Sequence, residues 1–301
     1  MRAPTLCLFS LIRLSLVVLT ACGSAVPRVQ SPAAQRSPTE SQRERTEDPY
    51  TFVGAVLLRE PTSVEPGDVM RAFELYRRNG QSMTVAPSDP SIGHEFSLSG
   101  CGEAFVTLMD VPHPDYAGER VRASIASIFS ETPELPHSAF HQVMLVPGHN
   151  PAAKSTCQSL LVTFLAALAQ STDAVGVFME NAIHEANGFK KVAVETDGSM
   201  RPLLHLGFSL ARENQTRRIS VLSWGMPSSF GLPDVFATQP ERDSAVDALE
   251  LAFLVSAQMI ARGVSYTKGD TVGRDTRERL PVRLTQSPVD PTAKVVRLDL
   301  P

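Results

Sequence analysis

From Tyr50 onward the apolar residues recur with a period that switches between two and about three and a half, the signature of alternating strands and helices. Phe52-Val53-Gly54-Ala55-Val56-Leu57-Leu58 reads as a buried strand, and Pro66 to Asn79, closed by Gly80, as a helix with Val69, Phe73 and Tyr76 on one side. Strands are predicted at Met83 to Ala86, Glu95 to Ser99 and Ala104 to Met109. A helix over Ala117 to Ser130 turns Val121, Ile125, Ile128 and Phe129 inward, and His141 to Val146 closes the set as another strand. The order approximates β-α-β-β-α-β with one extra short strand, the split arrangement of ferredoxin-like sandwiches.

The second half opens on a helix start, with Asn150 placed to cap and Pro151 suited to the first turn, where its missing N–H does no harm. That helix runs to about Gln170, and strands are predicted at Ala174 to Met179, Leu203 to Leu210 and Arg218 to Trp224. A long helix, Arg242 to Arg262, ends at Gly263 and is apolar enough between Ala248 and Ala261 to be largely buried. Its greasy part is too short for a membrane span and carries Glu250 and Gln258. Past Gly273 the chain turns polar, with late strands only at Val282 to Leu284 and Val295 to Leu300. The expected class is therefore α+β: a ferredoxin-like first half with a second α+β half packed on it over residues 50–273, then a C-terminal extension, 274–301.

Upstream of Tyr50 the pattern is different. Met1 and Arg2 precede an apolar stretch, Leu6 to Thr20, interrupted by Ser10, Arg13 and Ser15, which has the layout of an export signal. Leu19-Thr20-Ala21-Cys22 resembles the bacterial lipoprotein signal, which implies removal of residues 1–21 and a diacylglyceryl group on the Cys22 thiol. Several acyl chains would anchor the protein stably where one would not. Gly23, rather than Asp, follows the cysteine, which favours the outer membrane in a host that has one. Residues 22–49, rich in Ser, Pro, Gln and Arg, cannot bury enough surface to offset their ordering entropy and are predicted to be a disordered tether, its ends roughly 30 Å apart as a flexible coil.

Composition narrows the partners. The 301 residues hold 28 Lys plus Arg against 32 Asp plus Glu, a formal charge of -4, so there is no large basic field and nucleic acid is excluded as an expected partner.

Ser223-Trp224-Gly225-Met226, then Gly231-Leu232-Pro233-Asp234, then the buried helix and Gly269-Asp270-Thr271-Val272-Gly273 resemble a bacterial family known as domain of unknown function 4261. Leu108-Met109 leading to Pro112-His113-Pro114, the strand entry at His137 to Val146, and Ala174-Val175-Gly176-Val177-Phe178 are similar too, so that the likeness spans about residues 51–273. Asp234 stands where the pattern has a glutamate, and the lipoprotein start and the tail after Arg274 are additions. The resemblance implies an α+β module and no reaction. The same residues read as structure: Gly225, Gly231 and Pro233 as turn residues, Asp270-Thr271 as a local side-chain-to-backbone cap.

Chemistry is sparse. Cys101 and Cys157 either form a bridge, worth roughly 4 kcal/mol by chain entropy, or stay separate thiols, one in the Gly100-Cys101-Gly102 turn and one on a helix, which is the reading preferred here. His137 and His141 are four apart, but Pro136 and the strand that follows imply an extended chain with the rings roughly 13 Å apart, so no metal is expected. Gly225-Met226-Pro227-Ser228-Ser229-Phe230-Gly231 has the wrong spacing for a hydrolase elbow and is expected to lead into no immediate helix. Glu180, Asn181, His184 and Glu185 read as the hydrophilic loop after a buried strand, and Asp243, Asp247 and Glu250 as charges complementing a helix dipole.

No cofactor is implied. The leading expectation is a non-enzymatic, membrane-tethered module that binds an envelope protein or an incoming one. The alternative is a hydrolase-like enzyme whose site is assembled from dispersed residues, with Glu180, His205, Trp224 and Asp270 as candidates. A purely structural spacer is a third possibility. Convergence of those four side chains in one pocket separates the second from the first.

Overall fold

The computed structural model describes residues 51–87, 93–114, 135–148, 153–180, 182–194, 200–213, 217–241, 245–274 and 277–301. The export signal, Cys22, the tether, the helix expected over 117–130 and the cap expected at 150–151 lie outside the described residues. The elements in chain order are β1 (Phe52–Leu58), α1 (Pro66–Tyr76), β2 (Met83–Val85), β3 (His94–Leu98), β4 (Gly102–Met109), β5 (Ala139–Pro147), α2 (Lys154–Gln170), β6 (Ala174–Met179), β7 (Ala182–Glu185) and α3 (Ala186–Val194). A 3-10 helix (Arg201–His205) leads to β8 (Gly207–Glu213), β9 (Arg218–Trp224), α4 (Met226–Phe230), β10 (Asp234–Pro240) and α5 (Val246–Arg262). The short strands β11 (Thr271–Val272), β12 (Leu280–Pro281), β13 (Arg283–Gln286) and β14 (Lys294–Asp299) complete the chain.

The class is mixed α+β, built on a large antiparallel sheet. Seven strands lie in the order β2-β3-β4-β5-β1-β6-β7, every neighbouring pair antiparallel. α1 thus joins two strands of the same direction, β1 and β2, with three strands between them, a wider split than the ferredoxin-like order, which has one. A second sheet runs β13-β14-β10-β9-β8, with β10 and β14 parallel. β14 lies inside that sheet, and Val296, Leu298 and Leu300 join the main core, so the residues after Arg274 complete the domain and do not merely extend it.

Four elements differ from expectation, each for a local reason. Leu203 and Leu204 belong to a 3-10 turn begun by Pro202, and the strand starts only at Gly207. The loop expected after β6 is instead a strand and a helix: Glu185 accepts the N–H groups of Asn187 (2.9 Å) and Gly188 (2.6 Å), which fixes the first turn of α3, while Phe189, Val192 and Ala193 bury its inner side. The five-residue α4 follows Gly225 immediately. β10 alternates Val235 and Ala237 toward the main core with Phe236 toward the opposite face, between two prolines that hide its period.

α2 is buried on nearly all sides, and this organises the core. It packs against β1, β5 and β6 of the large sheet and against α1, α3 and the 3-10 helix. Gly54 on β1 eases the close approach: a Cβ there would stand 2.9 Å from a terminal methyl of Leu165 and 3.2 Å from the Phe178 carbonyl oxygen, so the leucine would have to shift. α5 covers the second sheet, with Phe208 and Phe253 in edge contact at 4.3 Å. At the meeting point of α1, α2 and α3 the buried Arg201 donates from Nη1 to Thr163 Oγ1 (3.1 Å) and from Nη2 to the carbonyls of Tyr76 (2.7 Å) and Ala193. Burial lowers its pKa to about 10, and repulsion from Arg78 acts in the same direction, so it remains a cation at neutral pH.

Cys101 and Cys157 form a disulfide, with Cα atoms 5.4 Å apart, which corrects the preference for separate thiols. The turn carrying Cys101 brings it there because Gly102 lets β4 pass against β5: a Cβ at that position would lie 2.1 Å from the Val146 carbonyl oxygen. The bridge ties the β3–β4 turn to the first turn of α2.

Two histidines are buried neutral. Burial depresses the pKa of His141 to about 4, with Thr62 backbone partly offsetting it and His94 adding to it. Burial likewise takes His184 to about 3, offset in part by the Leu204 backbone and reinforced by His205. Both folded values lie below the ordinary 6.5, so the unfolded chain takes up protons first as pH falls. Stability contributed by these rings is full above pH 6.5 and declines between there and their folded values. Urea denaturation as a function of pH should show a loss of roughly 1.4 kcal/mol per pH unit for each ring below about pH 6. Replacing either histidine by Phe should halve that slope, and an unchanged slope in both variants would contradict the assignment.

Candidate functional site

Three side chains meet at the end of β6, one from the turn after that strand, one from the 3-10 helix before β8 and one from α4 between β9 and β10. Glu180 follows the last residue of that strand in the left-handed conformation, φ 48°, which a non-glycine residue adopts only where its surroundings hold it. Its carboxylate accepts from the Ser229 hydroxyl (2.6 Å) and lies 3.1 Å from Nδ1 of His205. His205 ends the 3-10 helix that precedes β8, and Ser229 sits in α4, which Gly225 (φ 105°) and Gly231 (φ 67°) bracket. α2 closes the group from below: Lys154 donates to the Ser228 carbonyl (2.6 Å) and Gln158 to the Ser229 carbonyl (3.2 Å).

Charge at this cluster is settled by competition. Burial pushes the Glu180 carboxyl up, but the hydrogen bond and charge of His205, the Ser229 hydroxyl and the nearby Lys154 together hold it below the usual carboxylate range. It is an anion at neutral pH. As an acceptor of two side-chain hydrogen bonds it clamps α4 and the 3-10 helix to the large sheet. Ser229 is 6 % exposed and His205 2 %, so neither presents its reactive atoms to solvent.

The other two candidates lie elsewhere. Trp224 points to the face of the second sheet away from the main core, beside Leu222, Phe236 and Val295, with Nε1 donating to Ser209 Oγ at 2.7 Å. Asp270 is in an exposed turn, where its carboxylate accepts from the N–H (2.7 Å) and hydroxyl (3.1 Å) of Thr267; these two contacts lower its pKa. Glu180 and His205 therefore converge, while Trp224 and Asp270 do not join them. Among the described residues no three His, Cys, Asp or Glu side chains stand close enough to share a metal ion. His137 accepts the His113 N–H at Nε2 (3.0 Å), and His141 is buried in β5.

Comparison with family models, with characterised proteins and with solved structures finds no match. The motif residues gain their meaning from this structure alone. Asp234 accepts from the Ser223 hydroxyl (3.0 Å) and from the Met226 N–H (3.2 Å), pinning the turn between β9 and α4. Sequence reasoning weighs Ser229 as a nucleophile and sets it aside for its spacing, and it does not single out Arg201. The signal for Ser229 was the glycine on either side of a five-residue stretch; for Arg201, a lone cation among apolar residues.

If the cluster is a clamp, Glu180→Gln should cost about 1–3 kcal/mol at pH 7 by thermal or urea unfolding. Because the folded pKa is depressed, the contribution is present above the ordinary carboxylate value and lost as pH falls through the folded one. The gap between wild type and variant should therefore close in acid; a constant gap would exclude an ionised clamp.

Proposed function

We propose that this chain is an exported lipoprotein, anchored through lipid on Cys22 to a bacterial envelope membrane, the outer one where the host has it, and that its domain binds a protein partner there without carrying out a reaction. The observation that carries the address is the Cys101–Cys157 bridge, since a buried structural disulfide forms and persists in oxidising compartments such as the periplasm. The sequence around Cys22 then names the anchor. No helix among the described residues is long and apolar enough to cross a membrane, so attachment by lipid supplies what the described fold does not.

Binding without chemistry is supported by the scatter of Trp224 and Asp270 and by the burial of Ser229. The partner's class, an envelope or incoming protein, rests on the tether of residues 22–49 that precedes the domain. The resemblance to domain of unknown function 4261 fits this reading, since it implies a module with no assigned reaction. One observation favours a hydrolase-like enzyme as a second reading: the contact of Ser229, Glu180 and His205, with Glu180 as base. A fluorophosphonate probe that labelled the wild type and not Ser229→Ala would select it.

The address is tested by Cys22→Ser. Mature wild-type chain should sediment with membranes and resist salt extraction, and the variant should be recovered soluble. Salt-resistant sedimentation of Cys22→Ser at the wild-type level would refute lipid anchoring.

A further inference from the structure

The face of the large sheet turned away from α2 is covered over one half and open over the other. At the covered half Ala55, Leu57 and Phe140 form a small second core with Leu135, and the His113 ring lies against Phe140 (4.8 Å) and Phe178 (4.6 Å). At the open half the strand register sets Phe105 of β4, Met144 of β5 and Val53 of β1 side by side in one row. Val53 and Met144 are each 43 % exposed, and Phe105 is half-buried. An antiparallel sheet can leave one face in water, but that face then carries polar side chains. An apolar row across three adjacent strands, with a phenylalanine and a methionine in it, has the composition of a contact surface.

The charge on this face is one-sided. Glu95 pairs with Phe105 across β3 and β4, and Glu103 pairs with Val146 across β4 and β5, so two carboxylates border the apolar row. None of the seven strands contains a lysine or an arginine. Glu103 carries a second, independent signal: its Oε1 accepts from the Ser97 hydroxyl (3.1 Å), while its Oε2 is buried with no hydrogen-bond donor among the described residues. A buried carboxylate oxygen left without a donor is costly, and a cationic side chain brought by a partner removes that cost. The same charges decide among occupants. A second copy laid face to face sets carboxylate against carboxylate, and an anionic lipid surface is repelled.

We propose that the open half of this face is where the protein partner docks, through a segment whose apolar side chains cover Val53, Met144 and Phe105 and whose lysine or arginine donates to Glu103 Oε2. The inference rests on the protein-binding role given above and adds its surface and the chemistry of the partner.

The test is photo-crosslinking in the native cell, with p-benzoylphenylalanine placed in the full chain at Val53 or Met144 and, as controls, at Leu75 of α1 (65 % exposed) or Val246 of α5 (62 % exposed). Adducts to a second protein are expected from the Val53 and Met144 positions and not from the controls. Mass spectrometry should place each crosslink in a segment that carries apolar residues together with lysine or arginine. Glu103→Gln, or Glu95→Gln if circular dichroism shows the first variant unfolded, should lower the adduct yield about tenfold through loss of a charge-assisted contact. Adducts at the control positions equal to or above those at Val53 and Met144 overturn this surface and spare the protein-binding role. Adducts from none of the four positions overturn both. A crosslink to a second copy of the chain, to lipid or to an acidic segment overturns the inference, as does a yield that the folded glutamine variant leaves unchanged.

Discussion

The helical layer of this protein converges on one buried guanidinium. Helices end with carbonyl groups that have no partner within the helix, and those ends carry partial negative charge. Tyr76 is the last residue of α1 and Ala193 the last but one of α3, and both direct their carbonyls at Arg201, while Thr163 presents its hydroxyl from the middle of α2. A flat fork of donors can serve acceptors from three directions at once, which an ammonium on a flexible stem cannot do as well. Desolvating a cation is expensive, and among the described residues the compensation comes from two helix-end carbonyls and a threonine hydroxyl.

Two further ties fix what surrounds that centre. The disulfide joins the β3–β4 turn to the start of α2, and the Glu180 carboxylate joins the end of β6 to α4 and the 3-10 helix. Each bridges elements far apart in sequence, and each sits at one end of α2. The buried helix is therefore held at its first turn by covalent and polar contacts and along its length by packing. An oxidising compartment and a neutral pH are the conditions in which all three ties are intact.

The most strongly periodic elements were legible in both halves of the chain. β1, β4, β5, β6 and β9 appear close to their expected limits, as does α5, whose apolar run and terminal Gly263 mark it well. Legibility failed where a structure depends on partners distant in the chain. The sheet order places β5 and β6 on either side of β1, and no local period encodes that choice. α3 was hidden by Asn187 and Gly188, poor helix formers that are tolerated because Glu185 accepts their N–H groups. Of the site, Glu180 and His205 were visible as polar residues beside apolar segments. Their junction with Ser229 was not, since it needs the second sheet folded against the first. Trp224 stands out in the sequence as part of the Ser223-Trp224-Gly225-Met226 stretch, and its place on the outer face follows from strand alternation past Val221.

The most direct measurement is urea unfolding of Arg201→Met, a change that keeps apolar volume and removes the fork. The account predicts a loss of about 2 kcal/mol or more, since two buried carbonyls lose their donor at once. A variant as stable as the wild type would mean that the helix ends need no cation, and the central role given to Arg201 would be wrong.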